Sequence, residues 1–325
     1  MGVEGFWCAV QHTAHSVQIS SLRGKRLAID MSVLMHRALS TDSENMANNR
    51  YTPKPTEFVM QTIGSMLACG ITPYAVFDGR PLPAKAPTHL RRKDNLERAT
   101  ESLKDKIAEG CKISHSDYRA VLCVTSEFTK EVIERLKKID VSLVVSAYEA
   151  DAQLVWLELH DIVDGLITED GDVFAYGAST VYRLWSARDT RVNRYMRQDF
   201  VSATNQFTLD GANVSFVDTW MLAGCDYGTK IPGVGWKTAL KALQGCSFAS
   251  AVEILISDRA EGESYMRLAA TVRLIYAHHC VWDVEQEEMV CLTPPVEGEH
   301  WTAEERVAIG RYVKCRCVFF CLCMC

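Results

Sequence analysis

Four apolar runs in this chain end on, or just short of, an acidic residue, and this pattern limits the fold more than any other feature. The runs are Arg26-Leu27-Ala28-Ile29-Asp30, Tyr74-Ala75-Val76-Phe77-Asp78, Gly165-Leu166-Ile167-Thr168-Glu169-Asp170 and Trp220-Met221-Leu222-Ala223-Gly224-Cys225-Asp226. A run of that length reads as a buried strand of an open α/β sheet, which delivers its acid to the carboxyl edge where such sheets place their sites. With Glu149, Asp151 and Asp172 the acids number seven, in five islands. So many negative charges at one edge repel each other unless protons or cations intervene, and an all-oxygen set suits hard divalent ions. The pattern predicts a metal-dependent enzyme.

The coarse order of elements supports that geometry. A strand (Leu27 to Asp30), a helix (Ser32 to Leu39), a polar loop (Thr41 to Pro55), a helix (Thr56 to Cys69) and a strand (Tyr74 to Asp78) make a βαβ unit with parallel strands. Pro81, Pro83 and Pro87 then break the chain, and Leu90 to Glu109 and Asp117 to Ile139 carry helical spacing with charged faces, expected to project as an insertion. Val141 to Ser146 reads as a further strand. Glu149 and Asp151 open the helix after it, where their i, i+2 spacing converges only in a partly non-helical first turn. In Thr168-Glu169-Asp170-Gly171-Asp172, strand period two places both aspartates on one face and Glu169 on the other.

The net charge of −6 argues against a polyanionic partner, yet setting the seven acids aside turns it into +1. Eight Lys or Arg stand against four acids from Arg80 to Lys106, five Arg against one Asp from Arg183 to Arg197, and three Lys against none from Gly228 to Lys241. Three basic stretches around an acidic centre point to phosphate binding. Pro232-Gly233-Val234-Gly235 before a helix offers bare backbone N–H groups and a helix N-terminus to a phosphate, with Lys237 and Lys241 one turn apart. His278-His279-Cys280 reads as packing rather than as a metal site. The thirteen cysteines contain no CxxC pair and read as thiols of a reducing compartment. The apolar stretches fall far short of a membrane span of roughly 18 residues, so a soluble, intracellular protein without a membrane partner is expected.

The motifs Met1-Gly2-Val3-Glu4-Gly5, Ile29-Asp30, Val76-Phe77-Asp78-Gly79, Tyr148-Glu149-Ala150-Asp151-Ala152-Gln153, Thr168-Glu169-Asp170-Gly171-Asp172 and Gly224-Cys225-Asp226-Tyr227 occur in this order. Together they resemble the structure-specific 5′-nuclease superfamily of flap endonucleases. Within it, Leu82-Pro83-Ala84-Lys85 and Tyr-Glu-Ala-Asp resemble the exonuclease 1 branch. The resemblance implies an α/β fold with a mostly parallel central sheet flanked by helices (a PIN-like 5′-nuclease fold), a helical arch and a helix-two-turn-helix element. It implies one nuclease domain over 1–313, divided into 1–98, an arch at 99–139, 140–226, the helix-two-turn-helix at 227–245 and a helical remainder at 246–313. The Cys-rich residues 314–325 are expected to be non-family sequence.

By that resemblance, Asp30, Asp78, Glu149, Asp151, Asp170, Asp172 and Asp226 hold two Mg²⁺ or Mn²⁺ ions. Lys85 and Arg92 hold the scissile phosphate. His36 stacks on a terminal base, Gly2 lies near the metals, and Gly233, Gly235, Lys237 and Lys241 grip duplex backbone. A K⁺ ion at the hairpin would rest on carbonyls at Ala223, Lys230 and Val234, because Lys230, with Thr229 beside it, stands at the family's usual hydroxyl position. The implied activity is 5′-to-3′ DNA exonuclease with 5′-flap endonuclease action at ends, nicks and junctions, by a nuclear monomer. A flap-specific endonuclease and a chemically inert DNA-binding scaffold are the rivals.

Overall fold

The computed structural model describes residues 3, 5–183, 185, 190–202, 206–207, 214–228, 230–298 and 300–310. Gly2, Thr229 and the Cys-rich residues 314–325 lie outside them. In chain order the elements begin with α1 (Phe6–Val10), β1 (His15–Gln18), β2 (Arg26–Asp30), α2 (Met31–Leu39), α3 (Ser43–Ala47), α4 (Lys54–Ala68) and β3 (Thr72–Phe77). Next come α5 (Ala86–Ala108), α6 (His115–Ala120), α7 (Ser126–Lys138), β4 (Ser142–Val145), α8 (Ala150–Leu159), β5 (Leu166–Ile167), α9 (Val173–Tyr176), β6 (Thr180–Arg183) and β7 (Arg191–Met196). The chain ends with β8 (Gln206–Phe207), β9 (Val214–Ser215), α10 (Phe216–Gly224), α11 (Trp236–Leu243), α12 (Phe248–Leu255), α13 (Arg259–His278), β10 (Cys280–Asp283), β11 (Glu288–Cys291) and α14 (Ala303–Ala308).

Seven strands form the central sheet in the order β1-β7-β6-β5-β2-β3-β4. Five of them, β6, β5, β2, β3 and β4, run parallel, while β7 is antiparallel to both β6 and β1. The chain winds outward from β2 to β3 and β4, then crosses back through α8 to β5 on the other side of β2. The winding therefore reverses between β2 and β5, and the crevice outside their carboxyl ends is where such sheets bind ligands. The parallel sheet expected from sequence is present, with an antiparallel edge added.

Strand alternation divides the core into two layers. Ala28, Val76, Val144, Leu166 and Val181 face a layer that includes α8 and α10, whereas Leu27, Ile29, Ala75 and Phe77 face one built with α2, α4 and α7. The first layer is extended by the hairpin β10–β11, which is tied to α8 by one buried side chain. Gln153 Nε2 donates to the Trp282 carbonyl at 2.8 Å and the Trp282 N–H donates to Gln153 Oε1 at 2.7 Å. Gln153→Ala is expected to cost roughly 2–4 kcal/mol, because two buried backbone groups lose their partners. Urea unfolding checks this; a loss under 1 kcal/mol would mean that the hairpin does not depend on the amide.

Several local expectations are corrected. The run Trp220 to Asp226 is helix α10 and its C-terminal exit, not a strand; the Ser215 hydroxyl accepts from Asp218 N and starts the helix, and an apolar run this short fits either structure. Asp117 to Ile139 is two helices, because Thr125 caps α7 afresh. Of these, α7 does not project: Phe128, Val132, Ile133 and Leu136 pack into the second core layer. The loop Thr41 to Pro55 contains α3, and α4 starts at Lys54, since a proline in the first turn gives up no helical hydrogen bond. Thr168 to Asp172 is a turn following the two-residue β5.

Three arginines of the basic run Arg183 to Arg197 have partners within the protein, and Arg188 lies outside the described residues. Arg183 Nε pairs with Glu169 at 2.9 Å and its guanidinium covers the Trp7 ring. Arg191 donates to Ser16, and Arg197 donates to the Phe174 carbonyl while covering Phe216. These three arginines tie the antiparallel edge to the body.

Candidate active site

The switch point collects the acids by five routes. Asp30 ends β2 and caps α2, with Oδ1 accepting from Val33 N at 3.2 Å and Oδ2 from Thr168 Oγ1 at 2.8 Å, which bridges the ends of β2 and β5. Asp78 leaves β3, accepting from the Ser32 hydroxyl and from Ala150 N at 2.8 Å. Glu149 occupies the cap position of α8 and Asp151 its first turn. Asp170 Oδ1 accepts from Asp172 N at 3.0 Å, so a tight turn replaces the expected strand alternation and still brings both acids inward. Asp226 follows α10, where Thr88 Oγ1 donates to its carbonyl at 2.9 Å.

The electrostatics join these residues into one group. Burial pushes the Asp30 carboxyl up to about 7, and the Asp78 and Asp170 charges add to the rise. Burial, then Asp170, Asp30 and Glu149, hold Asp151 well above the usual carboxylate range. Asp172 is raised in the same way by burial, Asp170 and Asp226. Each of the seven expected ligands thus either feels or exerts the charge of another.

Two cations enter from α5. Lys85 is buried at its foot, with Nζ 2.9 Å from Glu149 Oε2 and 3.3 Å from Asp226 Oδ2. Burial opposes its charge, yet Glu149, Asp151 and Asp226 outweigh burial and its pKa is raised. Arg92, two turns along, donates to Asp226 Oδ2 at 2.7 Å and is half-exposed. The cleft between them is lined by Asp30, Asp78, Lys85, Arg92, Glu149, Asp151 and Asp170, with His89 on the same face of α5. His36 lies exposed on α2, where desolvation, then Arg92, lowers its pKa.

Sequence reasoning missed the aromatic floor. The Tyr227 hydroxyl bonds to Glu149 Oε2 and shares a 2.5 Å contact with Tyr176 OH, and its ring lies 5.3 Å below Lys85 Nζ. Trp220 Nε1 donates to Asp172 Oδ1 at 3.0 Å and Tyr276 OH to Oδ2 at 3.4 Å. Position was the available signal, since Tyr227 directly follows Asp226.

Among the described residues, no three His, Cys, Asp or Glu side chains form a ready ligand set for one ion. The carboxylates are instead held by Lys85, Tyr227, Ser32, Thr168 and Trp220. The donor chemistry nevertheless fits hard cations: oxygen atoms only, mutually repelling, several of them buried beside an open cleft. Turning the cleft-facing acids away from their protein donors would supply ligands.

None of the hairpin residues is among those that line the cleft. Gly233 adopts φ +76° and Gly235 leads extended into α11, where Lys237 and Lys241 are exposed. Trp236 abuts Gly5, so the hairpin adjoins the N-terminal segment. Ala223 and Val234 are buried, and Lys230 packs against Gly224. His279 is fully buried against Tyr148 and Tyr176, as a packing residue would be.

A mostly parallel sheet with acids at its switch point defines a nuclease-type α/β fold. It is shared with the catalytic core of Rad2 in complex with DNA substrate (23% identity, TM-score 0.59, 84% of this chain and 79% of that one) and with flap endonuclease-1 from Methanococcus jannaschii (18%, TM-score 0.55, 82% and 84%). Residues 1–99 match the XPG N-terminal domain and residues 140–226 the XPG I-region, and the chain belongs to the XPG family of 5′-nucleases. Its relatives include Exodeoxyribonuclease 1 of Schizosaccharomyces pombe, 30% identical over 91% of this chain and 52% of the relative. Exonuclease 1 of Xenopus laevis is 25% identical over 90% and 41%. The chain spans about half the length of these curated relatives, or less.

Proposed function

We propose that the chain is a metal-dependent 5′-to-3′ DNA exonuclease with 5′-flap endonuclease action, cutting phosphodiester bonds at duplex ends, nicks and junctions in repair or replication. The observation that carries the reading is the gathering of seven carboxylates with Lys85 and Arg92 at the sheet's switch point, where five of the seven line one cleft and Asp226 pairs with both cations. Asp30, Asp78, Glu149, Asp151, Asp170, Asp172 and Asp226 would hold two Mg²⁺ or Mn²⁺ ions. When bound, such ions supply an activated water and stabilise the leaving oxygen. Lys85, fixed by Glu149 and Tyr227, keeps a positive charge facing the cleft, and Arg92 offers a planar fork at its mouth. Both would exchange a carboxylate for a phosphate oxygen and offset its developing charge. His36 would stack on a terminal base, Gly2 would lie near the ions, and the hairpin at Gly233 and Gly235 would grip the backbone, with K⁺ on carbonyls at Ala223, Lys230 and Val234.

Residues 1–313 would act as one nuclease domain, in a nuclear monomer. Hydrolysis of a 5′-labelled nicked duplex with Mg²⁺, and its absence with EDTA, tests the reading; no hydrolysis in either would leave an inert scaffold. Cutting of free 5′ flaps alone, with recessed ends untouched, would favour the flap-specific rival. Lys85→Ala is expected to lower the cleavage rate more than the affinity. Lys237→Ala should instead weaken duplex binding and reduce the slope of log affinity against log salt by about 1. Matching effects in the two variants would remove this division of roles.

A further inference from the structure

Two cysteines oppose each other across the β10–β11 hairpin. The register pairs Cys280 with Cys291, followed by Val281 with Val290 and Trp282 with Met289. Leu292 N–H donates to the His279 carbonyl at 2.8 Å, so a ladder bond flanks the cysteine pair instead of joining it. At such a non-hydrogen-bonded pair the Cα atoms lie about 4.5 Å apart with the side chains close. That spacing falls within the roughly 4.4–6.8 Å over which disulfides form. Cys280 is buried and Cys291 half-buried, and neither is in a disulfide.

We propose that Cys280 and Cys291 form a reversible cross-strand disulfide, an oxidation site for hydrogen peroxide that is coupled to the acid cluster through Tyr148. Burial, then the neighbouring Cys291, pushes the Cys280 thiol up to about 12, and Cys291, being more exposed, meets the oxidant first. The Cys291 sulfur attacks one peroxide oxygen, the O–O bond breaks, and hydroxide leaves with the thiol proton as water, giving a sulfenic acid. The Cys280 sulfur then attacks the sulfenic sulfur, and the S–O bond breaks as oxygen departs with the Cys280 proton as a second water. Two thiols are oxidised and one peroxide is reduced. Cys280 needs no access to solvent for this step, only its place opposite Cys291.

The coupling follows from close packing. A Cβ added at Gly310 would lie 2.5 Å from the Tyr148 ring and 2.9 Å from Cys280 Cβ, so the Gly310 backbone is wedged between them. Cys280 N also donates to the Ile309 carbonyl at 2.8 Å. Tyr148 directly precedes Glu149, and its carbonyl accepts from Gly79 N at 2.6 Å, beside Asp78. Drawing Cys280 toward Cys291 shifts this stack and with it the turn that carries Glu149. The effect on rate rests on the nuclease reading; formation of the disulfide does not.

The test treats the full chain with hydrogen peroxide, alkylates the remaining thiols and maps the peptides. The expected result is a peptide linking Cys280 to Cys291, absent in Cys280→Ser and in Cys291→Ser. Hydrolysis by the oxidised chain should fall roughly tenfold or more, the scale set by small misplacements of catalytic groups. Dithiothreitol should restore it, and the half-buried Cys291→Ser should keep its rate through the treatment. Absence of the linked peptide overturns the oxidation site. A linked peptide with an unchanged rate overturns the coupling. A chain that forms the link but cuts no DNA when reduced supports the oxidation site and overturns the nuclease reading.

Discussion

Asp170→Asn is expected to slow phosphodiester hydrolysis about a thousandfold, because losing a ligand charge removes several kcal/mol of ion-mediated stabilisation and each 1.4 kcal/mol is tenfold. The same change should leave the ion-free protein at least as stable as the parent. Asp170 is buried and its carboxyl is raised, by burial first, so the native structure carries its charge at a cost. Asparagine retains an oxygen that can accept from Asp172 N, which keeps the turn. Single-turnover cleavage and thermal unfolding of the two proteins check both halves. A variant that cuts at the parental rate would remove Asp170 from the chemistry, and one that melts well below the parent would show that the carboxylate is structural.

In the presence of a chelator, stability is expected to fall as pH rises from about 4 to about 7. The Asp30 carboxyl titrates at about 7 in the folded chain against 3.8 for an ordinary aspartate, so between those values the folded state holds a proton that the unfolded chain has released. Stability declines with pH wherever the native state binds more protons. A shift of that size in one group sets an upper bound of roughly 4 kcal/mol, and coupling among the acids spreads it. Asp151 and Asp172 shift in the same direction. Mn²⁺ or Mg²⁺ should reverse the trend, raising the melting temperature far more at pH 7.5 than at pH 5. A flat profile with EDTA would mean that the acids are not in electrostatic contact.

The acids themselves were legible in the sequence because strand ends are legible: Asp30 and Asp78 follow continuous apolar runs of buried strands. Asp226 was found for the wrong reason, since a short apolar run cannot tell α10 from a strand, and only the Ser215 cap decides. Asp170 and Asp172 were grouped correctly by spacing, although a turn and not a pleat brings them together. The arginines from 183 to 197 misled because charge counting cannot see that Glu169 and Trp7 engage Arg183, Ser16 engages Arg191 and Phe216 engages Arg197. Trp220 and Tyr276 stayed hidden because their contacts with Asp172 span 48 and 104 residues of chain, which no local pattern encodes, whereas Tyr227 was marked by its place beside Asp226.

The order in which the acids occur along the chain has a consequence during synthesis. A ribosome releases Asp30 and Asp78 early, but Glu149 and Asp151 need the return crossing through α8, and Asp226 arrives only after the whole sheet has been translated. Contacts this distant form late. A nascent or truncated polypeptide therefore lacks the complete set of seven acids, and any chemistry that needs all of them would await closure of the full body.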